Sequence, residues 1–325
     1  MDKPSKNKKS LGSKILITGG AGFIGSNLIE RYISDPNISL IRVVDDLSNG
    51  SMSNIEPFLS NPKFEFIKAD ICNFEVCLEA TKGIDKVSHQ AGLGSVPRSI
   101  ENPVRSAEVN IMGSINLMKA CHENKVDRIV LACSSSTYGN SIELPKIEDK
   151  IGKPVSPYAA TKLVVEIFAD VFASNFGLDY IGLRYFNVFG PKQSMGNPYA
   201  AVIPIFCNAF KNNISPIING DGETSRDFTY VENAIQANDL ALFTNKKDAV
   251  NRVYNVACGD QISLNELVVM LNQITGKKLL PEYSSERKGD IKHSRASIEK
   301  IEKYLGYKVS VRFFKGLEKT YHSYL

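Results

Sequence analysis

No stretch of this 325-residue chain is apolar for the roughly eighteen residues that a membrane-spanning helix needs. The six cysteines are scattered without a CxxC pair and the four histidines form no cluster, so the sequence predicts no disulfide framework and no metal site. The net charge is +4, and four lysines against one aspartate in the first ten residues supply +3 of it. A nearly neutral body argues against nucleic-acid binding, and we expect a cytoplasmic protein with reduced thiols.

Apolar runs rich in Val and Ile alternate with helix-length segments over much of the chain. The runs lie at 14–18, 39–45, 63–70, 85–91, 128–134 and 178–186, and periodic stretches include 103–124 and 157–176. This alternation predicts an α/β fold with a Rossmann-type doubly wound parallel sheet. Beyond about Gly190, Pro and Gly clusters replace the alternation. We therefore expect a basic flexible tail (1–13), a Rossmann domain (14–186) and a smaller, partly interleaved α/β region that binds a substrate (187–325).

A glycine-rich turn follows the first predicted strand. Gly19, Gly22 and Gly25 in TGGAGFIG have the spacing that allows a tight turn, close backbone approach to a pyrophosphate and a helix N-terminus aimed at the anion. The next strand ends in Asp45 and Asp46, where a carboxylate accepts the ribose hydroxyls of an adenine nucleotide and repels a 2′-phosphate. The sequence therefore predicts binding of NAD rather than NADP.

A tyrosine and a lysine stand four residues apart near the start of another predicted helix. Ser and Pro at 156–157 fit the N-cap and the first helical position, so Tyr158 and Lys162 share one helical face. An ammonium near a phenol favours the phenolate and lowers the pKa of the phenol. The same spacing recurs in KYLGYK (303–308), with a glycine between and outside the predicted sheet domain. The position in the chain therefore favours Tyr158 and Lys162 as the functional pair.

Three serines end the apolar run at 129–140, IVLACSSSTYGN. A Ser/Thr-rich segment after a strand is usually a turn, because these hydroxyls bond their own backbone. Ser134 precedes Tyr158 by 24 residues, at the end of a strand predicted to lie inside the sheet. On the triplet alone a turn is the favoured interpretation, and a hydroxyl that takes part in chemistry stays open.

These segments together resemble the extended short-chain dehydrogenase/reductase family over essentially all of residues 14–325. The resemblance rests on TGGAGFIG, the acidic pair at 45–46, SSSTYG, SPYAATK, LRYFNVFGP, NGDGETSRDFTYVEN and ERKGDIKHS. They look like the nucleotide-sugar 4-epimerase branch, and HQAGLGSVPRSI, SSSTYGN and GDGETSRDF are especially similar to bacterial UDP-N-acetylglucosamine 4-epimerases. The resemblance implies a redox-neutral inversion: a phenolate takes the 4-hydroxyl proton, a hydride moves from C4 to bound NAD, and the 4-keto sugar is reduced again on its other face.

The resemblance also assigns roles to individual residues. Ser134 would be the catalytic hydroxyl, with Ser135 as the near alternative, Tyr158 the base, and Lys162 the residue that holds the nicotinamide ribose. The implied cofactor contacts, besides Tyr158 and Lys162, are Gly19, Gly22, Phe23, Ile24, Gly25, Asp45, Asp46, Asn49, Gly50, Asp70, Ile71, Gln90, Ala91, Gly92, Asn110 and Tyr185. The implied substrate contacts are Gly94, Ser95, Arg98, Ser134, Ser135, Ser136, Asn187, Ala201, Val202, Arg226, Arg287, Asp290 and Ser294.

Within this set, Ser294 occupies a place that is a bulky Tyr in epimerases restricted to non-acetylated sugars. A small residue there leaves room for a 2-N-acetyl group, which favours UDP-N-acetylglucosamine and UDP-N-acetylgalactosamine as substrates. Two alternatives stay open: the corresponding N-acetylhexosaminuronic acids, whose carboxylate Arg98 could meet, and UDP-glucose with UDP-galactose. Supply of amino sugars for a surface polysaccharide is the pathway we expect.

Two other functions are less favoured by the sequence. Sugar 4,6-dehydratases and nucleotide-sugar decarboxylases need an acidic group in the loop after the first hydroxyl, where this chain has Ser135, Ser136 and Thr137. A non-catalytic NAD-binding protein would be expected to lose Tyr158 or Lys162, and both are present. The family usually forms homodimers through the helices that correspond to 103–124 and 157–176, so we expect a homodimer.

Overall fold

The protein folds around one parallel sheet of seven strands. The computed structural model describes residues 12–194, 201–286 and 292–325. Its strands are β1 (Ser13–Thr18), β2 (Ile38–Asp45), β3 (Phe64–Lys68), β4 (Lys86–His89), β5 (Arg128–Ser134), β6 (Tyr180–Tyr185), β7 (Val188–Phe189), β8 (Ile217–Asn219), β9 (Ser225–Arg226), β10 (Thr229–Tyr230), β11 (Arg252–Val256), β12 (Ile262–Ser263) and β13 (Glu282–Ser284).

The main sheet has the strand order β11-β6-β5-β4-β1-β2-β3, and every neighbouring pair is parallel. The chain runs outward from β1 to β3, then returns to continue on the other side of β1 with β4, so the order reverses between β1 and β4. Ligands of such sheets bind at the carboxyl ends of the strands beside this reversal. The predicted Rossmann-type α/β fold is therefore confirmed.

Helices cover both faces of the sheet. They are α1 (Phe23–Ile33), α2 (Phe74–Thr81), α3 (Val96–Glu101), α4 (Pro103–Ala107), α5 (Gly113–Glu123), α6 (Pro157–Phe176), α7 (Val202–Lys211), α8 (Val231–Phe243), α9 (Leu264–Thr275), α10 (Glu299–Leu305) and α11 (Phe313–Ser323). Helix α6 has the predicted bounds: the Ser156 side chain accepts from Ala159 N, Pro157 stands at the first position, and Gly177 ends the helix in the left-handed conformation.

The predicted continuous helix at 103–124 is wrong in one respect. It is divided into α4, a π-helical turn at Glu108–Met112, and α5. The turn carries the buried Asn110, whose amide bonds the backbone of Leu93 and the hydroxyl of Thr161. These partners are distant in sequence, so helical periodicity alone contains no signal for the wider turn.

Two apolar clusters pack on opposite faces of the sheet. Alternate residues of β1 point to different sides: Ile15 and Ile17 belong to one cluster, and Leu16 to the other. Strand β11, from the region predicted to bind substrate, pairs with β6 and forms one edge of the main sheet. The remaining strands of that region form three short pairs, β10-β7, β12-β9 and β13-β8. Among the described residues, no helix is long and apolar enough to cross a membrane.

Candidate active site

A cleft of about 830 Å³ opens at the carboxyl ends of the sheet strands. The predicted cofactor residues that line it are Gly19, Gly22, Phe23, Ile24, Gly25, Asp45, Asp46, Asn49, Gly50, Asp70, Ile71, Gln90, Ala91, Gly92, Tyr158, Lys162 and Tyr185. The predicted substrate residues that line it are Gly94, Ser134, Ser135, Ser136, Asn187 and Ala201. Asn110, Ser95, Arg98, Val202, Arg226 and Ser294 are described but lie outside this lining, and Arg287 and Asp290 lie outside the described residues.

The glycine turn between β1 and α1 leaves no room for side chains. Gly19 has a φ of +69°, and a Cβ there would lie 2.6 Å from the backbone nitrogen of Ala91. A Cβ on Gly25 would lie 2.2 Å from the carbonyl oxygen of Gly19. Gly22 is the N-cap residue of α1, with no side chain across the helix N-terminus. The turn therefore presents bare backbone and a helix dipole to the cleft, which fits a dinucleotide pyrophosphate.

Asp45 at the end of β2 braces this turn. Its carboxylate accepts from Ala21 N at 3.0 Å and from Leu47 N at 2.8 Å, which ties the glycine turn to the second strand. Burial raises the pKa of Asp45, although both backbone hydrogen bonds oppose that shift.

Two more carboxylates lie at the predicted adenosine end of the cleft, and both are close to the same arginine side chain. Arg105 Nη2 lies 2.7 Å from Asp70 Oδ2 and 3.8 Å from Asp46 Oδ2. Burial acts against ionisation of Asp70, but the hydrogen bonds from Arg105 and Cys72 prevail and its pKa lies below the ordinary value. Sequence reasoning missed Arg105, because nothing in the local pattern of α4 signals a partner 35 residues away.

At the other end of the cofactor half, Gln90 and Tyr185 belong to one polar cluster. The phenol of Tyr185 donates to Gln90 Oε1 at 3.3 Å and accepts from Asn238 Nδ2 at 2.7 Å. Gln90 Nε2 also donates to Ser88 Oγ and to Asn238 Oδ1. Burial raises the pKa of Tyr185 to about 12, so this phenol stays protonated and acts as a fixed donor. Asn238, on α8, is a second residue that the sequence did not reveal.

Asn110 supports the cleft from behind. Its Oδ1 accepts from Leu93 N at 2.8 Å, and its Nδ2 donates to Leu93 O at 3.2 Å and to Thr161 Oγ1 at 3.0 Å. These bonds join the loop after β4 to α6 at the residue before Lys162. Asn110 is buried outside the cleft lining with its amide bonded to protein groups, and its predicted cofactor contact stays a prediction.

Ser134, Tyr158 and Lys162 all line the cleft. Lys162 Nζ donates to Ala132 O at 2.8 Å, which holds its buried ammonium against the end of β5. Tyr158 N donates to Ser99 Oγ at 3.1 Å and ties the start of α6 to α3. Helical spacing places the two side chains on one face, as predicted.

The hydroxyl of Ser134 is both a structural cap and an available donor. Its Oγ accepts from Ser136 N at 3.1 Å and from Ser136 Oγ at 2.9 Å. These two donors occupy the acceptor positions of the oxygen, so its own proton remains for another group. Thr137 is fully buried and donates back to Ser134 O at 2.8 Å. The structure therefore shows the turn, and the catalytic role of Ser134 stays a prediction.

Acidic side chains in the described lining are confined to the predicted adenosine end. They are Asp45, Asp46 and Asp70, at or just beyond the ends of β2 and β3. The turn beside Tyr158 carries hydroxyls at Ser135, Ser136 and Thr137. Proton transfer at this end of the described lining therefore depends on the phenol and the hydroxyls.

Predicted substrate residues on β9 and on segment 292–297 lie side by side. Ser294 N donates to Ser225 O at 3.2 Å, next to Arg226, whose Nη1 donates to Ser225 O and Lys292 O. Asp227 joins these elements: it accepts from Cys258 N, Gly259 N and Ala296 N at 2.9, 3.0 and 3.1 Å. The sequence signal for Asp227 was the SRDF segment, in which only the arginine was selected.

The structure shows the contacts of two further predicted substrate residues, Asn187 and Arg98. Asn187 has a φ of +37°, and its Nδ2 donates to Asp227 O at 2.9 Å, so its amide lines the cleft from a strained turn. Arg98 Nη2 donates to Asn49 Oδ1 at 3.3 Å. The guanidinium of Arg98 is thus turned toward a segment predicted to bind the cofactor ribose. Ser95 serves as the N-cap of α3.

Comparisons with known proteins agree with this geometry. The model of the NAD dependent epimerase/dehydratase family matches residues 15–257. A putative UDP-glucose 4-epimerase of Methanocaldococcus jannaschii is 36% identical over 94% of this chain and 96% of its own length. A UDP-glucuronate 4-epimerase of Thermodesulfobacterium geofontis is 32% identical, with 94% of each chain covered. The solved structure of a UDP-N-acetylglucosamine 4-epimerase from Methanobrevibacter ruminantium, in complex with UDP-N-acetylmuramic acid, has a TM-score of 0.91 and 37% identity and covers 96% of this chain and 98% of that one.

Proposed function

Because this chain belongs to the NAD dependent epimerase/dehydratase family, we propose that it is a UDP-sugar 4-epimerase that interconverts UDP-N-acetylglucosamine and UDP-N-acetylgalactosamine. The observation that carries the proposal is the site around Ser134. Ser134, Tyr158 and Lys162 line one cleft, Lys162 is bonded to Ala132 O of β5, and the turn after Ser134 has hydroxyls where elimination chemistry would need an acid.

NAD, which the bare glycine turn and the carboxylates of β2 and β3 fit, supplies a hydride acceptor and donor when bound. The Tyr158 phenolate accepts the proton of the 4-hydroxyl as C4 loses its hydride, and Ser134 donates a hydrogen bond to the oxygen that becomes the ketone. Lys162, bonded to Ala132 O, lies on the same face of α6 as Tyr158. After the 4-keto sugar turns over, Tyr158 returns the proton to the oxygen as hydride returns to the other face of C4, so no net oxidation occurs.

The preference for acetylated sugars rests on the small side chain of Ser294. It lies on a segment bonded to β9, beside Arg226, so the volume of residue 294 affects the space near the predicted diphosphate contact. The named relatives divide among glucose, glucuronate and N-acetylglucosamine nucleotides. The contact of Arg98 with Asn49 directs that guanidinium toward the cofactor half, which favours a neutral C6 group over a uronic acid.

We extend the proposal to a homodimer built on the exposed faces of α4 to α6. Met112 and Ile167 are 52% and 53% exposed, and Val104 and Val171 are exposed nearby in sequence. Leu117 and Met118, on the same set of helices, are fully buried within the protein and are not available to a partner. Light scattering of the wild type and of Ile167→Asp tests this assembly. A dimer that becomes monomeric supports it, and a wild-type monomer contradicts it.

The function is tested by incubating the purified protein, without added NAD, with UDP-N-acetylglucosamine, UDP-glucose or UDP-N-acetylglucosaminuronic acid. NMR resolves the 4-epimers, and absorbance at 340 nm reports net formation of reduced cofactor. We expect UDP-N-acetylgalactosamine to appear fastest among the products, with no net absorbance change. A rise in absorbance at 340 nm that accompanies turnover, or a dehydrated 4-keto product, would contradict the proposal.

A further inference from the structure

A buried ion pair lies directly behind the catalytic groups. Arg184 on β6 and Glu166 on α6 have side chains that are 5% and 6% exposed. Two parallel bonds join them: Nε to Oε1 at 2.9 Å and Nη2 to Oε2 at 2.7 Å. This bidentate geometry fixes both distance and orientation between strand and helix.

The pair is aligned with the catalytic residues on both elements. Glu166 follows Lys162 by four residues and Tyr158 by eight, so all three occupy one face of α6. Arg184 is the register partner of Cys133, the residue before Ser134, in the β5-β6 ladder. The ion pair thus connects the helix that carries the base to the strand next to the serine.

A third contact brings the serine turn into the same cluster. The Arg184 guanidinium lies over the ring of Tyr138, 5.0 Å from its centroid, at the end of the turn that begins with Ser135. The phenol of Tyr138 donates to Asn255 Oδ1 at 2.7 Å, and the remaining Arg184 nitrogen, Nη1, donates to Glu148 O at 2.8 Å. The guanidinium therefore has a partner on each structural element that surrounds it.

We propose that Arg184, Glu166 and Tyr138 form a positioning cluster that sets the distance between the Ser134 hydroxyl and the Tyr158 phenol. The inference rests on the proposed function, since it concerns the geometry of that proton transfer. The three side chains do not line the cleft, so they act through Ser134, Tyr158 and Lys162 rather than on substrate. A misplacement of about 1 Å at a reacting centre costs about 100-fold in rate.

The test separates positioning from simple stability. In Arg184→Met, a buried carboxylate loses its partner, so both Tm and kcat should fall. In the double variant Arg184→Met/Glu166→Met both charges are gone, and removal of both partners of a buried pair is often neutral for stability. We expect the double variant to have a Tm close to that of the wild type, the same NAD content and the same KM. Its kcat should stay about 100-fold below the wild-type value.

A matched control is available on the neighbouring strand. Arg128, at the opposite end of β5, is also largely buried and donates to the carbonyls of Ala241, Leu242 and Thr244. Arg128→Met should lower Tm but leave kcat unchanged below its unfolding transition. Equal kcat losses in the Arg128 and Arg184 variants at matched distance below Tm would contradict positioning.

Arg184→Lys provides a second test of the proposal if the double variant does not fold. It keeps the positive charge beside Glu166 but loses the planar fork and the stacking on Tyr138. We expect kcat to fall at least tenfold with KM unchanged, since that split reports a loss in the reacting geometry rather than in binding. Wild-type kcat in this variant, or in a folded double variant, would overturn the inference. A wild-type protein that epimerises no UDP-sugar would instead contradict the proposed function.

Discussion

The glycine turn and the segment that carries Ser294 are held in place by different means. The turn is a continuation of the seven-strand sheet: Gly19 N donates to Val44 O on β2, and Asp45 clamps Ala21. Segment 292–297 is held by isolated backbone bridges to Ser225 on β9 and to Lys146, and by the Asp227 carboxylate. The cofactor half is thus part of the main sheet, whereas this segment of the substrate half is held by isolated bridges and one buried carboxylate. We therefore expect substitutions in segment 292–297 to change sugar preference and to leave the cofactor site unchanged.

Removal of the phenol between the two halves should have the largest effect. Tyr158→Phe deletes the proton acceptor but touches neither the glycine turn nor segment 292–297. Since general acid–base groups contribute about 10²- to 10⁴-fold, kcat should fall by that factor while NAD content and KM stay near wild type. NMR turnover and the absorbance of released cofactor measure this. Substantial remaining turnover would show that another group takes the proton.

A methyl group in the glycine turn should weaken NAD binding without affecting the substrate half. In Gly25→Ala the new Cβ would lie 2.2 Å from Gly19 O, so the turn must open. Overpacking typically costs about 1–3 kcal/mol, which is about 5- to 150-fold in NAD affinity if the strain is released on loss of cofactor. Cofactor content after purification and NAD titration of the stripped protein measure the effect. The matched control is Gly83→Ala, outside the cleft lining, where a Cβ meets open space but the φ of +69° strains the backbone, so stability should fall while NAD binding stays unchanged. Unaltered NAD binding in Gly25→Ala would exclude this turn as the cradle.

A larger side chain on the substrate half should change selectivity without loss of cofactor. Ser294→Tyr fills the space that we assign to the N-acetyl group. Its kcat/KM for UDP-N-acetylglucosamine should fall at least tenfold more than that for UDP-glucose, because one misfitted group in a pocket is worth about 1–3 kcal/mol. Competition between the two sugars, followed by NMR, gives the ratio directly. Equal losses on both would count against the gatekeeper assignment.

Weakening of the Asp227 contacts should loosen the substrate half by a smaller amount. The carboxylate accepts three backbone hydrogens, whereas the single amide oxygen of Asp227→Asn replaces only part of that set. Loss of one hydrogen bond of about 1.4 kcal/mol should raise KM about tenfold, with NAD content unchanged. A parallel loss of cofactor would show that the two halves are not independent.

The last prediction concerns stability and its dependence on pH rather than turnover. Burial raises the pKa of Asp227 to about 7, well above that of an exposed aspartate near 4. The folded state therefore binds the proton more tightly, and this stabilisation is present below about pH 4 and is lost as pH rises toward 7. The stability of the wild type relative to Asp227→Asn should fall by about 1.4 kcal/mol per pH unit in that window. Denaturant unfolding at several pH values tests the slope; a flat difference contradicts it.

The sequence revealed those parts of the site that depend on local pattern. The glycine turn, the acids that end β2, and the helix start before Tyr158 each combine neighbouring residues with a predictable strand or helix end. Arg105, Asn238 and Arg184 were missed because their partners lie far away in the chain and meet them only in the folded protein. Asn110 illustrates the same limit. The sequence contains no sign that its amide bonds Leu93 and Thr161, because these partners meet it only in the folded protein.

The central claim is that hydride leaves C4 and returns to the same carbon without exchange. UDP-N-acetylglucosamine that carries deuterium at C4, incubated with the purified protein in ordinary water and without added NAD, tests this directly. The account predicts UDP-N-acetylgalactosamine that retains the deuterium at C4, detected by NMR and mass spectrometry. Product in which that deuterium has been replaced by solvent hydrogen would contradict it.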